Sequence, residues 1–73
     1  MSTATVYIRL MDEGTDVFRP TLADQIEGDC YRLRPAEDYD PDDERWEFLP
    51  GQLVRCQYIE LSGGRRLVAV ALA

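Results

Sequence analysis

The chain contains no histidine, no lysine and no asparagine. Without imidazole there is no Ser-His-Asp triad, no Cys-His pair and no histidine metal ligand. Without lysine there is no Schiff-base nucleophile and no phosphate-binding P-loop lysine. Only two cysteines, Cys30 and Cys56, occur in 73 residues, where a secreted domain of this size usually carries a disulfide framework. No run approaches the ~18 apolar residues of a membrane-spanning helix. The opening MSTATVYIRLMDEG lacks the basic and apolar regions of a secretory signal, so a cytoplasmic location is expected. Cations are also few: 8 arginines face 14 acids, a net charge of −6. Nucleic-acid binding is therefore disfavoured, because phosphate contacts need clustered cations. Arginine without lysine or asparagine is also what biased genomic base composition produces. A chain this short buries only roughly 60 % of its unfolded surface. It reads as a single domain over 1–73 with one modest core and little room for a deep substrate cleft. No catalytic residue, cofactor or metal is expected.

What remains is mostly strand pattern. Residues 4–11 alternate, with Val6, Ile8 and Leu10 on one face and Tyr7, Arg9 and Met11 on the other. Asp12, Gly14, Thr15 and Asp16 form a turn cluster. Residues 16–23 read as a second strand, at an edge or bent at Pro20, which has no amide to donate. A turn over 23–29 is expected next, with Gly28-Asp29 at its tip and a short helical turn over 22–26 as the competing reading. Residues 30–34 form a short strand with Tyr31 and Leu33 inward and Cys30 on the surface side. Residues 35–45, PAEDYDPDDER, make a long acidic loop, suggestive of mobility or function.

Trp46 and Phe48 then share a face, and Pro50-Gly51 breaks the run. Residues 52–61 form a long strand whose apolar parity switches at Ile59 and Leu61, which predicts a bulge near Tyr58. Gly63 and Gly64 supply positive φ for a hairpin. The apolar run 66–72 needs cover on both faces, as in a central or barrel strand. Five or six short strands without a helix predict an all-β fold. The expected form is a small five- to six-stranded barrel of the Src homology 3-like type, with an oligonucleotide/oligosaccharide-type barrel second.

The strings EGTDVFRP (13–20), WEFLPG (46–51), VRCQ (54–57), LSGG (61–64) and LVAV (67–70) resemble a group of small bacterial proteins carrying EGTDV-aromatic-RP and WEF-x-PG-x-x-VRC. The resemblance spans nearly the whole chain. It implies a small all-β, barrel-like domain with no assigned activity and supplies no catalytic residues.

Candidate contact residues lie in three groups. Glu37, Asp38, Asp40, Asp42, Asp43, Glu44 and Glu47 place seven carboxylates in eleven residues. The start of this run imitates an EF-hand loop, but Pro41, Asp43 and Leu49 occupy positions where that loop needs other residues. The plain reading is a solvated loop. The functional reading is an acidic partner-binding patch centred on Asp40, Asp42 and Asp43. Arg19, beside Phe18 and Pro20, reads as an internal ion pair with Asp16 or with a carboxylate of the WEF segment, or else as a bidentate anchor for a partner. Among the aromatics, Phe48 and Tyr31 are expected in the core, Tyr39 exposed in the loop, and Tyr7 and Trp46 either packed or available to a partner. Arg65 and Arg66 read as a solvated hairpin. The expected function is a non-catalytic module that binds another protein or itself. An acidic inhibitor or nucleic-acid mimic with a basic partner is the alternative, and a small-ligand-binding domain or enzyme the third.

Overall fold

The computed structural model describes residues 2–36 and 39–73 and contains six strands: β1 (Thr3–Met11), β2 (Phe18–Glu27), β3 (Cys30–Leu33), β4 (Arg45–Trp46), β5 (Leu53–Leu61) and β6 (Gly64–Leu72). No helix occurs among the described residues. Hydrogen-bonded neighbours run β2-β3-β5-β6-β1, and β1 pairs β2 again, so five strands form a ring. Each step along the ring is antiparallel except β1 with β6, which is parallel and rests on the bridge Tyr7↔Val68. This follows from counting: in an odd-numbered meander the first and last strands point the same way, so the closing seam has to be parallel. The all-β expectation is met.

The core is the inner face of that ring. Val6, Ile8, Ala23, Leu33 and Val54 are fully enclosed, with Leu10, Tyr31, Trp46, Phe48, Cys56, Leu67 and Ala69 around them. The inward assignments for Tyr31, Leu33 and Phe48 hold, and of the two readings of Trp46 the packed one is met. Burial raises the Tyr31 phenol above its ordinary pKa. With a Cα radius of gyration of 11.6 Å, the chain is close to the ~11 Å expected for a folded domain of this length.

Four expectations need correction. The second strand does not stop at residue 23. It runs to Glu27 and pairs β3, and only Gly28-Asp29 turn. Pro20 is tolerated because it lies opposite Tyr7 in the stretch of β2 that pairs β1 alone. The β5–β6 bulge lies at Arg55/Cys56 rather than near Tyr58, and the surplus residue is Val70 of β6. At the β5–β6 turn only Gly64 has positive φ (118°). Finally, cover on both faces of the last strand is confined to Leu67, Val68 and Ala69, since Leu72 is 59 % exposed.

The parity switch in β5 has a different cause. Tyr58 is 63 % exposed although it shares the parity of buried Val54 and Cys56. Beyond Cys56 the inner-face side chains pass the end of the core, and the Arg65 guanidinium lies over the Tyr58 ring at 5.2 Å. On the opposite face, Ile59 and Leu61 become half-buried, as does Tyr7 on β1. The apolar parity changes because the covered side of the hairpin changes.

The two thiols illustrate the faces. Cys30 and Cys56 are both free, Cys30 half-buried and Cys56 buried. They sit on adjacent strands with opposite inward and outward parities. Burial, reinforced by Asp29 and Cys30, pushes the Cys56 thiol up to about 11. A thiol-disulfide titration at pH 8 is expected to label Cys30 in the native protein and to label Cys56 only after denaturation. Equal native labelling rates would contradict this burial.

Candidate functional site

The acidic loop is built into one end of the ring. Leu10 and Met11 of β1 pair Trp46 and Arg45 of β4, which brings Trp46 over the core. Tyr39 is not exposed as expected. Its ring lies 4.8 Å from that of Trp46 at 56°, and Tyr39 and Ala36 both pack against the core cluster. A tilted aromatic pair of this kind recovers apolar contact that the acidic residues around it cannot provide. The Tyr39 amide donates to the Ala36 carbonyl (3.1 Å). Asp40 then organises the turn: its carboxylate accepts from the Asp42 amide (2.9 Å), and its carbonyl accepts from Asp43 (3.0 Å) and Glu44 (2.9 Å). Glu37 and Asp38, the first two acids of the run, lie outside the described residues.

Glu44 joins loop, ring and cap. Its Oε1 accepts from Arg19 Nε (3.1 Å) and from Trp46 Nε1 (3.3 Å), and its Oε2 forms an ion pair with the same guanidinium. Arg19 is thus internally paired, but with neither Asp16 nor a carboxylate of the WEF segment. Its partner is Glu44, because Asp16 is taken by Arg9 at 3.1 Å. Arg19 shares the inward parity of Thr21 and Ala23, but at this end of the ring its long stem carries the charge to the rim. The Arg19 hydrogen bonds, then that from Trp46, hold the Glu44 carboxyl below its ordinary pKa. Asp24 is lowered in the same way by a two-pronged Arg34 contact (3.0 and 2.8 Å).

Both folded pKa values lie below the unfolded ones. Their stabilisation is therefore present above the unfolded carboxylate range and is lost as pH falls through the folded values. The melting temperature is expected to drop between about pH 5 and pH 3, and Glu44→Gln, already lacking the charge, should show a smaller drop. Identical pH profiles for the two proteins would contradict the Arg19–Glu44 pairing.

Asp40, Asp42 and Asp43 are exposed and form no ion pair among the described residues. No group of three or more metal-ligating side chains occurs among those residues either.

Tyr7 lies elsewhere, on the outer face of β1, so it does not join Trp46 in one exposed patch. Trp46 is 7 % exposed and belongs to the interior. Around Tyr7 the outer wall has two adjoining hollows, open to solvent. One, of about 370 Å³, is lined by Tyr7, Val17, Phe18, Leu61 and Arg66 with Asp16, Ser62 and Gly63. The other, of about 450 Å³, shares Asp16, Phe18, Leu61 and Ser62 with it and adds Ile59 and Glu60. The turn before β2 forms one bank and the β5–β6 hairpin the other. The Arg66 guanidinium is folded down by hydrogen bonds to the Gly63 (2.9 Å) and Arg65 (3.0 Å) carbonyls and lies 5.9 Å from the Tyr7 ring.

Of the residues singled out by sequence, the structure brings Arg19, Tyr39 and Trp46 together with the Asp40 turn, and leaves Tyr7 in the groove. Ile59 and Leu61 are not among the contact residues read from sequence, and Arg66, read there as part of a solvated hairpin, is half-buried in the groove lining. The parity switch at Ile59 and Leu61 was the available signal, and it had been assigned to backbone irregularity. No protein-family model, curated protein or solved structure matches this chain.

Proposed function

We propose that this protein is a non-catalytic interaction module, a small barrel of the Src homology 3-like type that binds a segment of another protein on its outer wall. The observation that carries this reading is the open groove at Tyr7, Val17, Phe18, Ile59 and Leu61. These apolar side chains are half-buried, lie on the outer wall, and can be covered further only by something that docks there. Extended segments suit such a surface, because alternate side chains enter the hollows while the backbone spans them. Two free thiols suit action in the cytoplasm. Selection of a displayed random-peptide library tests the reading. Enrichment is expected on the native protein and not on the Phe18→Ser, Leu61→Ser double variant. If no sequence is enriched, or both proteins enrich the same sequences, the reading fails.

The carboxylates of Asp40, Asp42 and Asp43 favour a second reading, an acidic inhibitor or nucleic-acid mimic. An ordered turn presents all three, and none has an ion-pair partner among the described residues. Binding through this turn would weaken steeply with salt and would be lost in the Asp40→Asn, Asp42→Asn, Asp43→Asn variant.

A further inference from the structure

We infer that two copies of this chain associate through the open edge of β5, joining Tyr58 and Glu60 of each into one antiparallel ladder about a two-fold axis at Ile59. This goes beyond the groove reading and concerns the backbone edge of the same hairpin.

The edge is open because β3 is short. β3 pairs β5 only over Leu53–Arg55, and at the β2–β3 turn the Asp29 carbonyl accepts from the Cys56 amide (2.9 Å). Peptide groups alternate in direction along a strand, so those of Tyr58 and Glu60 point to the same side as that of Cys56, away from β6. Neither has a backbone partner there among the described residues. Nothing in the sequence blunts this edge: residues 57–61 contain no proline, lysine or glycine, and the β5–β6 bulge lies outside them. Open N–H and C=O groups of this kind are completed by another extended backbone.

The side chains select a second copy as that backbone. Facing residues in an antiparallel pair share a face of the sheet, which leaves few two-fold registers. Centred on Glu60, like charges would face each other. Centred on Tyr58, Glu60 would face Cys56, whose amide Asp29 already engages. Centred on Ile59, Tyr58 faces Glu60 of the second copy and Glu60 faces its Tyr58, and both pairs exchange two backbone hydrogen bonds. Charge completes the fit. Glu60 and Arg65 stand opposite each other on β5 and β6, yet neither forms an ion pair among the described residues. The Arg65 guanidinium instead lies over the Tyr58 ring, at 5.2 Å. In the Ile59-centred register the Glu60 carboxylate of the second copy arrives beside that ring, on the face where Arg65 lies. The axis makes this contact twice. An unrelated strand without an acid at that position gains only the ladder. The charge of −6 on each copy opposes association, so the dimer is a weak one, formed at high protein concentration.

Sedimentation equilibrium at about 0.05 and about 1 mM protein, with amide exchange followed at both concentrations, tests the inference. The average mass is expected to rise toward twice that of the chain, and exchange at Tyr58 and Glu60 to slow about fivefold at the higher concentration. Glu60→Pro removes an amide that β6 does not use, so this variant should stay monomeric and melt near the native temperature. Glu60→Arg and Arg65→Glu should each stay monomeric alone, whereas their equimolar mixture should associate, because each restores the charge pairing that the other lacks. A native protein still monomeric at about 1 mM would overturn the inference. So would a dimer that Glu60→Pro leaves intact, or a mixture that does not associate. Slowed exchange at Phe18 and Leu61 instead of Tyr58 and Glu60 would also overturn it, by placing the contact in the groove. Slowing of the two edge amides by a library-selected peptide, with the protein alone monomeric, would assign the edge to a different chain and overturn the self-pairing.

Discussion

Replacing Trp46 with alanine is expected to remove a large share of the protein's folding free energy. Trp46 is 7 % exposed, closes one end of the core, packs at a tilt against Tyr39 and donates to Glu44. Truncating a buried tryptophan costs about 3–5 kcal/mol. A 73-residue domain has roughly 4–11 kcal/mol in total at typical stability per residue. The loss also releases Tyr39 and, through Glu44, one contact of Arg19, so the 39–46 segment loses its anchor together with the core. Urea denaturation followed by circular dichroism measures this directly. Tyr39→Ala, which keeps the Trp46 plug, should cost clearly less than Trp46→Ala. If both variants melt like the native protein, Trp46 is not part of the core.

Ile8→Ala is the second large effect expected, at about 2–5 kcal/mol. Ile8 is fully enclosed at the middle of β1, the strand that pairs β2 on one edge and both β6 and β4 on the other. A cavity there lies beneath the closing seam of the ring, and small neighbours such as Ala23 and Ala69 have little side chain with which to refill it. Met11→Ala, three residues along the same strand and 43 % exposed, should stay within about 0.5 kcal/mol of the native protein. Similar costs for the two substitutions would contradict the inward and outward faces assigned to β1.

Those faces were readable because period two is a local property. The alternation in 30–34 marks Tyr31 and Leu33 as inward, Phe48 reads as core, and the alternation in 4–11 groups Val6, Ile8 and Leu10 on one face; all six are buried. The second half of β2 was hidden by composition. Asp24, Gln25, Glu27 and Gly28 carry turn signals, and the one buried side chain there, Ala23, is too small to mark a face. Its strand character comes from the neighbours β1 and β3, which supply ladder partners that no local pattern announces.

The candidate sites were harder to read for the same reason. That Arg19 would pair internally followed from abundant nearby carboxylates, but Glu44 as partner depends on β4 docking at Leu10 and Met11. Tyr39 was placed in solvent because its sequence neighbours are acidic, whereas its spatial neighbour is Trp46. The groove joins residues 16–18 to residues 59–62 across the closed ring. Only the closure brings these segments into one wall, and the weak local trace of it was the change of apolar parity in β5.

The closure of the ring is therefore the claim on which core, cap and groove all depend, and it rests on the short parallel seam between the first and last strands. Nuclear Overhauser contacts across that seam test it most directly. Backbone contacts are expected between Tyr7 and Val68, side-chain contacts between Tyr7 and Arg66, and slow amide exchange at Leu67, Val68 and Ala69. A last strand paired to β5 alone, with no contact from Val68 to Tyr7, would contradict it.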